Sequence, residues 1–239
     1  MNASLAAFLT QFERQVRAAR GTSAVREVGA LPCPTGELGL GGLLDRDVPS
    51  LVQRIPPGRY DVIEAMTAVA SWDLARAKLV APPKAKLGAC LGLLVQADVA
   101  PTRWRHAVNA AQRAIDLADQ PSAAHHAVAW CEWPAIGDAT SWTSYLAWGR
   151  AQTAALRVGN LRERVLGPAL RRKRAAPEIY APDGEAAFAL AVSKSGSLGA
   201  YPAFWGVDAA DAPVCLFWFF ELVQDLLTGL TLQPDGQLT

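Results

Sequence analysis

Imidazole exchanges protons near neutral pH, so the histidines are the first place to look for chemistry. There are three, His106, His125 and His126. A helix starting at Ala123 would set His125 and Glu132 two turns apart on one face and align His126 with Trp130 and Trp133. Neither spacing gives the HExxH or HxxxH pair that grips zinc. Ser195 is the candidate nucleophile, but no SxxK box stands anywhere in the chain, and Ser195-Gly196-Ser197-Leu198-Gly199 lacks the first glycine of a GxSxG elbow. A hydrolase built on His106, His125, Glu132 and Ser195 would therefore rest on chemical type alone. The expectation is a chain with no catalytic residue, no metal site and no cofactor.

Two further residue types carry little chemistry at their spacing. Gly39, Gly41 and Gly42 lack both the Lys-Ser/Thr that follows a phosphate loop and the GxGxxG spacing of a dinucleotide site. Cys33, Cys90, Cys131 and Cys215 are scattered singly with no CxxC pair, which points to reduced thiols rather than to disulfides or zinc.

Charge is more informative than its total of +1. Arg157 to Arg174 holds seven basic residues against Glu163, while Ala175 to the end holds eight acids against Lys194. The Arg171–Arg174 run has no interleaved aromatics to stack on bases, so nucleic acid is not the expected partner. The acids at Glu178, Asp183, Glu185, Asp208 and Asp211 are expected to line a surface that steers a basic protein partner. The expected contact residues are Asp183, Glu185, Asp208 and Asp211, with Trp205 beside them.

These residues need elements to position them. Leu5, Phe8, Leu9, Phe12 and Val16 make one stripe of a helix over Ser4–Arg20 that packs on a core. The stretch from Arg59 alternates like a strand, and Trp72–Val80 is ambiguous between strand and helix. From Lys84 to Arg174 the spacing predicts helices: one on Leu87, Leu91, Leu94 and Val95, one from Trp104 to Ala118, one from Pro121 to Trp133, one capped by Thr140 or Ser141, and a last one after Gly159-Asn160. Gly199–Leu222 reads as a β-hairpin of two aromatic-rich runs joined by the turn Asp208–Ala212.

Together these give an α+β expectation: a β-rich core built from N- and C-terminal regions, an inserted α-helical bundle and an N-terminal packing helix. Its parts would be residues 1–83, 84–174 and 175–239. The 239 residues suffice for a sizeable core, and the run Val214–Phe220 is far too short for a bilayer. No basic stretch precedes the apolar Ser4–Leu9, so a cytoplasmic protein is expected.

Three segments carry a resemblance. They are Leu31-Pro32 with Thr35-Gly36; Ile55-Pro56-Pro57-Gly58-Arg59-Tyr60; and Ser195-Gly196 with Tyr201-Pro202, Trp205-Gly206, Asp208 and Pro213-Val214-Cys215-Leu216. In these the chain resembles an uncharacterised bacterial domain-of-unknown-function family. Its members read LPxG, then a VPPGxYPV turn and strand, a strand alternating Ala and Arg (here Ala75-Arg76-Ala77), and a SGDGxYPxYWGxDxxGxPVCL hairpin. The family's Gly-Asp-Gly is Gly196-Ser197-Leu198-Gly199 here, without the acid. The resemblance implies no activity. Families of this kind are similar to immunity proteins, which capture a toxin stoichiometrically by shape and charge. The leading expectation is such a non-catalytic inhibitor, with a toxin encoded nearby as partner; the hydrolase above and a secretion-system accessory or scaffold are the alternatives.

Overall fold

The apolar stripe of the first helix is buried in the computed structural model, which describes residues 3–43, 45–66, 72–73, 78–79, 88–109, 127–130, 134–155, 178–180, 189–192 and 200–219. Helix α1 (Ala3–Ala18) sets Phe8, Leu9, Phe12 and Val16 against a sheet. Phe12 meets Phe219 at 4.8 Å and Phe217 at 5.3 Å between ring centroids. Two edge-on aromatic contacts fix both the position and the roll of the helix.

That sheet is seven-stranded, with every described pairing antiparallel. Its order is β1 (Val25–Cys33), β3 (Gly58–Met66), β6 (Gly88–Leu94), β13 (Pro213–Phe219), β12 (Ala200–Val207) and β7 (Arg103–His106), while β8 (Ala127–Trp130) pairs with the far half of β12. A second, four-stranded antiparallel sheet runs β10 (Glu178–Tyr180), β11 (Leu190–Val192), β9 (Pro134–Asp138) and β2 (Leu38–Gly42). A small pair joins β4 (Trp72–Asp73) to β5 (Lys78–Leu79).

Alternation along the strands builds the layers. On β13, Cys215, Phe217 and Phe219 face α1, whereas Leu216 and Trp218 join Leu38, Leu40, Ile136 and Ala191 in a core between the two sheets. The four-stranded sheet turns Ala135, Leu190 and Val192 outward onto Trp142 and Tyr145 of helix α2 (Ala139–Ala155). The stack is helix, sheet, sheet, helix, and the central strands are buried on both faces.

This corrects the expected architecture. No inserted helical bundle stands between two β regions: the described residues from 84 to 174 supply β6, β7, β8 and β9 to the sheets and contribute α2 alone as a helix. The part of the expected Leu87–Val95 helix from Gly88 to Leu94 is the central strand β6, flanked by β3 and β13. Because a strand buried on both faces reads as a continuous apolar run, its leucines mimicked a helical period. Trp104 lies on β7, and Ala127–Trp130 of the expected third helix forms β8. The remainders of the helices expected over Trp104–Ala118 and Pro121–Trp133, and the last helix expected after Gly159-Asn160, lie outside the described residues.

Candidate functional site

The turn between β12 and β13 is the described part of the expected contact surface, and its shape follows from two aspartates. Backbone bonds close it: Asp208 N–H donates to Ala212 O at 3.0 Å and Asp211 N–H to Asp208 O at 3.1 Å. The Asp208 carboxylate then accepts from the N–H groups of Ala210 at 2.8 Å and Ala212 at 2.9 Å, as short polar side chains do in turns. Asp211 takes φ = +68°, the left-handed region where Asp and Asn are the most tolerated residues after glycine. Ala209 and Ala210 are exposed at the tip.

Asp211 is also the centre of an ion cluster. Its Oδ1 accepts from Arg103 Nη2 and its Oδ2 from Arg105 Nη2 at 2.6 Å, so one carboxylate spans two guanidiniums. Both arginines come from β7, two residues apart and therefore on one face of the strand. Alternation sends Trp104 and His106 to the buried face.

A neighbouring loop completes this end of the sheet. The N–H groups of Val95 and Gln96 donate to Val214 O, each at 2.9 Å, and Gln96 Nε2 donates to Pro213 O at 3.0 Å. From α1, the Arg17 guanidinium donates to Ala97 O and, at 2.5 Å, to Val99 O, while Glu13 holds the same guanidinium from the preceding helical turn.

The remaining candidates fall in different places. Trp205, expected at the contact surface, is 1% exposed in the inter-sheet core, and its indole N–H finds no acceptor among the described residues. Buried there, it offers a partner no surface. His106 is buried against the ring of Phe204 at 5.0 Å between centroids. Glu178 lies on β10, whereas Asp183, Glu185, His125, His126, Glu132, Ser195 and Cys131 lie outside the described residues. Among the described residues, no group of three His, Cys, Asp or Glu side chains could hold a metal ion.

Cys33, Cys90 and Cys215 are free and buried. Burial, with a smaller contribution from the Asp138 charge, pushes the Cys33 thiol from 9.0 to about 12. Burial likewise pushes Cys90 and Cys215 upward. A thiol so raised is a poor nucleophile at neutral pH.

The glycine cluster has a packing reason. Gly39 and Gly41 lie on the face of β2 that meets α2; a Cβ at Gly39 would stand 2.6 Å from Trp142 Cδ1 and one at Gly41 2.5 Å from Val48 Cγ2. The indole of Trp142 lies over the strand and donates to Gly39 O at 2.9 Å.

Sequence reasoning missed a second polar cluster. Asp138, fully buried, caps α2 by accepting from Thr140 N–H at 3.0 Å and Thr140 Oγ1 at 2.7 Å. Its other oxygen accepts from Thr35 N–H at 3.0 Å and Thr35 Oγ1 at 2.8 Å. With four donors on it, the carboxylate is a structural anchor rather than a general base. Its signal in the sequence was an Asp just before a helix-forming run, the usual N-cap choice.

The class these observations define is an antiparallel two-sheet protein with a helix on each outer face and an ordered, charge-bearing hairpin end. No protein-family model matches the chain, no curated protein matches it, and no solved structure matches it. Among the described residues no helix is long and apolar enough to cross a membrane.

Proposed function

We propose that this chain is a non-catalytic cytoplasmic binding protein of the immunity or antitoxin type, capturing a protein partner such as a toxin encoded beside it through the β12–β13 turn. The observation that carries the reading is the order built into that turn. Asp208 and Asp211 hold its backbone, and Arg103 and Arg105 hold Asp211. A contact surface already fixed in shape spends little ordering entropy on binding, and a fixed pattern of charges selects its partner. Cys33, Cys90 and Cys215, free and buried, suit a reducing compartment.

Residues 31–36 and 55–60 form a framework next to the strands that carry the hairpin. Ile55 N–H donates to Gly36 O at 3.0 Å, and β1 pairs with β3 along the whole of Leu31–Cys33.

The test is co-purification with the neighbouring gene's product, together with protection of cells that express it. Ala209→Arg and Ala210→Arg place bulk at the exposed tip without touching the turn's bonds. Both variants are expected to fold normally and to lose the complex and the protection. A complex that survives both substitutions, or no complex with the wild-type chain, sinks the proposal.

A further inference from the structure

Strand order forces the chain after β6 across the end of the hairpin. β6 and β7 are three strand spacings apart, with β13 and β12 between them, so residues 95–102 carry the chain over roughly 14 Å past the β12–β13 turn. They are held from two sides. Besides the bonds of Val95 and Gln96 to the carbonyls of Val214 and Pro213, Thr102 N–H donates to Val207 O at 2.8 Å. Pro101 lies over Gly206, where a Cβ would stand 2.8 Å from the proline Cβ. From the side of α1, Arg17 holds Ala97 O and Val99 O, and Val99 N–H closes a turn onto Gln96 O at 3.3 Å.

The loop so fixed presents Ala97, Asp98, Val99 and Ala100 to water. Val99, at 37%, is one of two large hydrophobic side chains exposed among the described residues; the other is Val52, whose N–H bonds to Val108 O beyond the opposite end of β7. Asp98 is the only charged residue of the loop. Among the described residues no cation pairs with it, whereas the charge of Arg17 is answered by Glu13. Alternation keeps the β7 arginines away: Trp104 lies in the core under α1, so Arg103 and Arg105 turn to the opposite face of the sheet.

We propose that residues 97–100 form a second ridge of the contact surface, with Val99 as its apolar anchor and Asp98 as its charge, fitted to a protein segment that sets an apolar side chain beside a lysine or arginine. This rests on the reading of the hairpin end as the surface that captures a protein, and it names the chemistry of that protein. A lone valine on a surface is ordinary. This one stands on a loop held by two elements, beside an unanswered carboxylate, and at the same end of the sheet as the exposed Ala209 and Ala210. An anchor already ordered loses little entropy on contact, and the carboxylate next to it steers basic partners in and rejects acidic ones.

The probe is the purified product of the neighbouring gene, titrated by calorimetry into the wild-type chain and its variants at low and at physiological salt. Val99→Arg is expected to weaken the complex about thirtyfold or more, as loss of an anchor does, and Asp98→Asn about threefold to tenfold with a shallower dependence on salt. Val99→Arg within twofold of wild type overturns the proposal. So does an Asp98→Asn chain that binds as tightly as wild type or more tightly, the mark of an uncharged or acidic partner. Both side chains face water, and circular dichroism checks that the variants fold; should Val99→Arg not fold, Val99→Ser takes its place, with an expected loss of about tenfold. A complex lost in Ala209→Arg and Ala210→Arg but untouched by Val99→Arg sinks this inference and leaves the wider reading. One that survives both alanine substitutions and is lost with Val99→Arg supports the inference and sinks the assignment of capture to the turn, and no complex with the wild-type chain sinks both.

Discussion

Gly36 shows how much of a residue's role lies in contacts its neighbours in sequence do not reveal. It adopts φ = +70°, and a Cβ there would strike the carbonyl oxygen of Ile55 and come within 3.0 Å of that residue's carbonyl carbon. The strain of a left-handed non-glycine residue alone costs about 1–3 kcal/mol, and the collision with backbone adds to it. Gly36→Ala is therefore expected to lower the unfolding free energy measured by urea titration by at least that amount; a value within error of wild type would mean the loop moves aside freely. In the sequence the glycine reads as turn punctuation, with no sign of what it touches. Asp211 makes the same point. Its tolerance of left-handed backbone is a property of the residue type, whereas its partners Arg103 and Arg105 lie 108 and 106 positions away, a separation that no local pattern encodes.

Elements with one buried face were the most legible, and strands buried on both faces needed a further signal. The α1 stripe of Phe8, Leu9, Phe12 and Val16 stood out because solvent keeps the opposite face polar. β6 carries Leu91, Leu93 and Leu94, buried by two neighbouring strands and two layers, so nothing in its pattern enforces a period of two. The hairpin was readable despite the same double burial, since aromatic and β-branched residues bracket a polar turn. α2 was placed correctly by its apolar residues, but its cap was assigned to Thr140 or Ser141. Asp138 does that work and also ties the helix start to Thr35 across the sheet. Asp138→Ala should thus cost more than a cap. Loss of the cap costs about 0.5–2 kcal/mol, and leaving the Thr35 donors without an acceptor adds about 1–3 kcal/mol. In a Thr35→Val background the same substitution should cost measurably less by chemical denaturation, and equal costs in the two backgrounds would disprove the tie.

At the scale of the whole molecule, the sheets are assembled from distant parts. β2 pairs with β9, and β6 is inserted between β3 and β13, so outside the pairs β4–β5, β10–β11 and β12–β13 the order of strands in space departs from the order of the chain. One consequence is that the thiols are divided between cores. Cys33 lies between the two sheets, while Cys90 and Cys215 lie between the seven-stranded sheet and α1. Ionising them would place charge in both layers. With the Cys33 thiol raised from 9.0 to about 12 and Cys90 and Cys215 also raised, the folded chain holds its thiol protons more tightly than the unfolded chain. The sign follows from linkage. Their contribution to stability is complete below about pH 9, where both states are protonated, and is lost as the pH climbs towards the folded-state values, because only the unfolded chain then gains by releasing protons. Each such thiol can contribute a slope of up to about 1.4 kcal/mol per pH unit in that window. Urea unfolding followed from pH 8 to pH 11 should show stability falling steeply above pH 9. Cys33→Ala should lower stability at pH 8 by removing a buried group yet flatten the fall above pH 9, so the two curves converge. Parallel curves would show that the Cys33 proton is not held by the fold, and that the inter-sheet core admits water at this position.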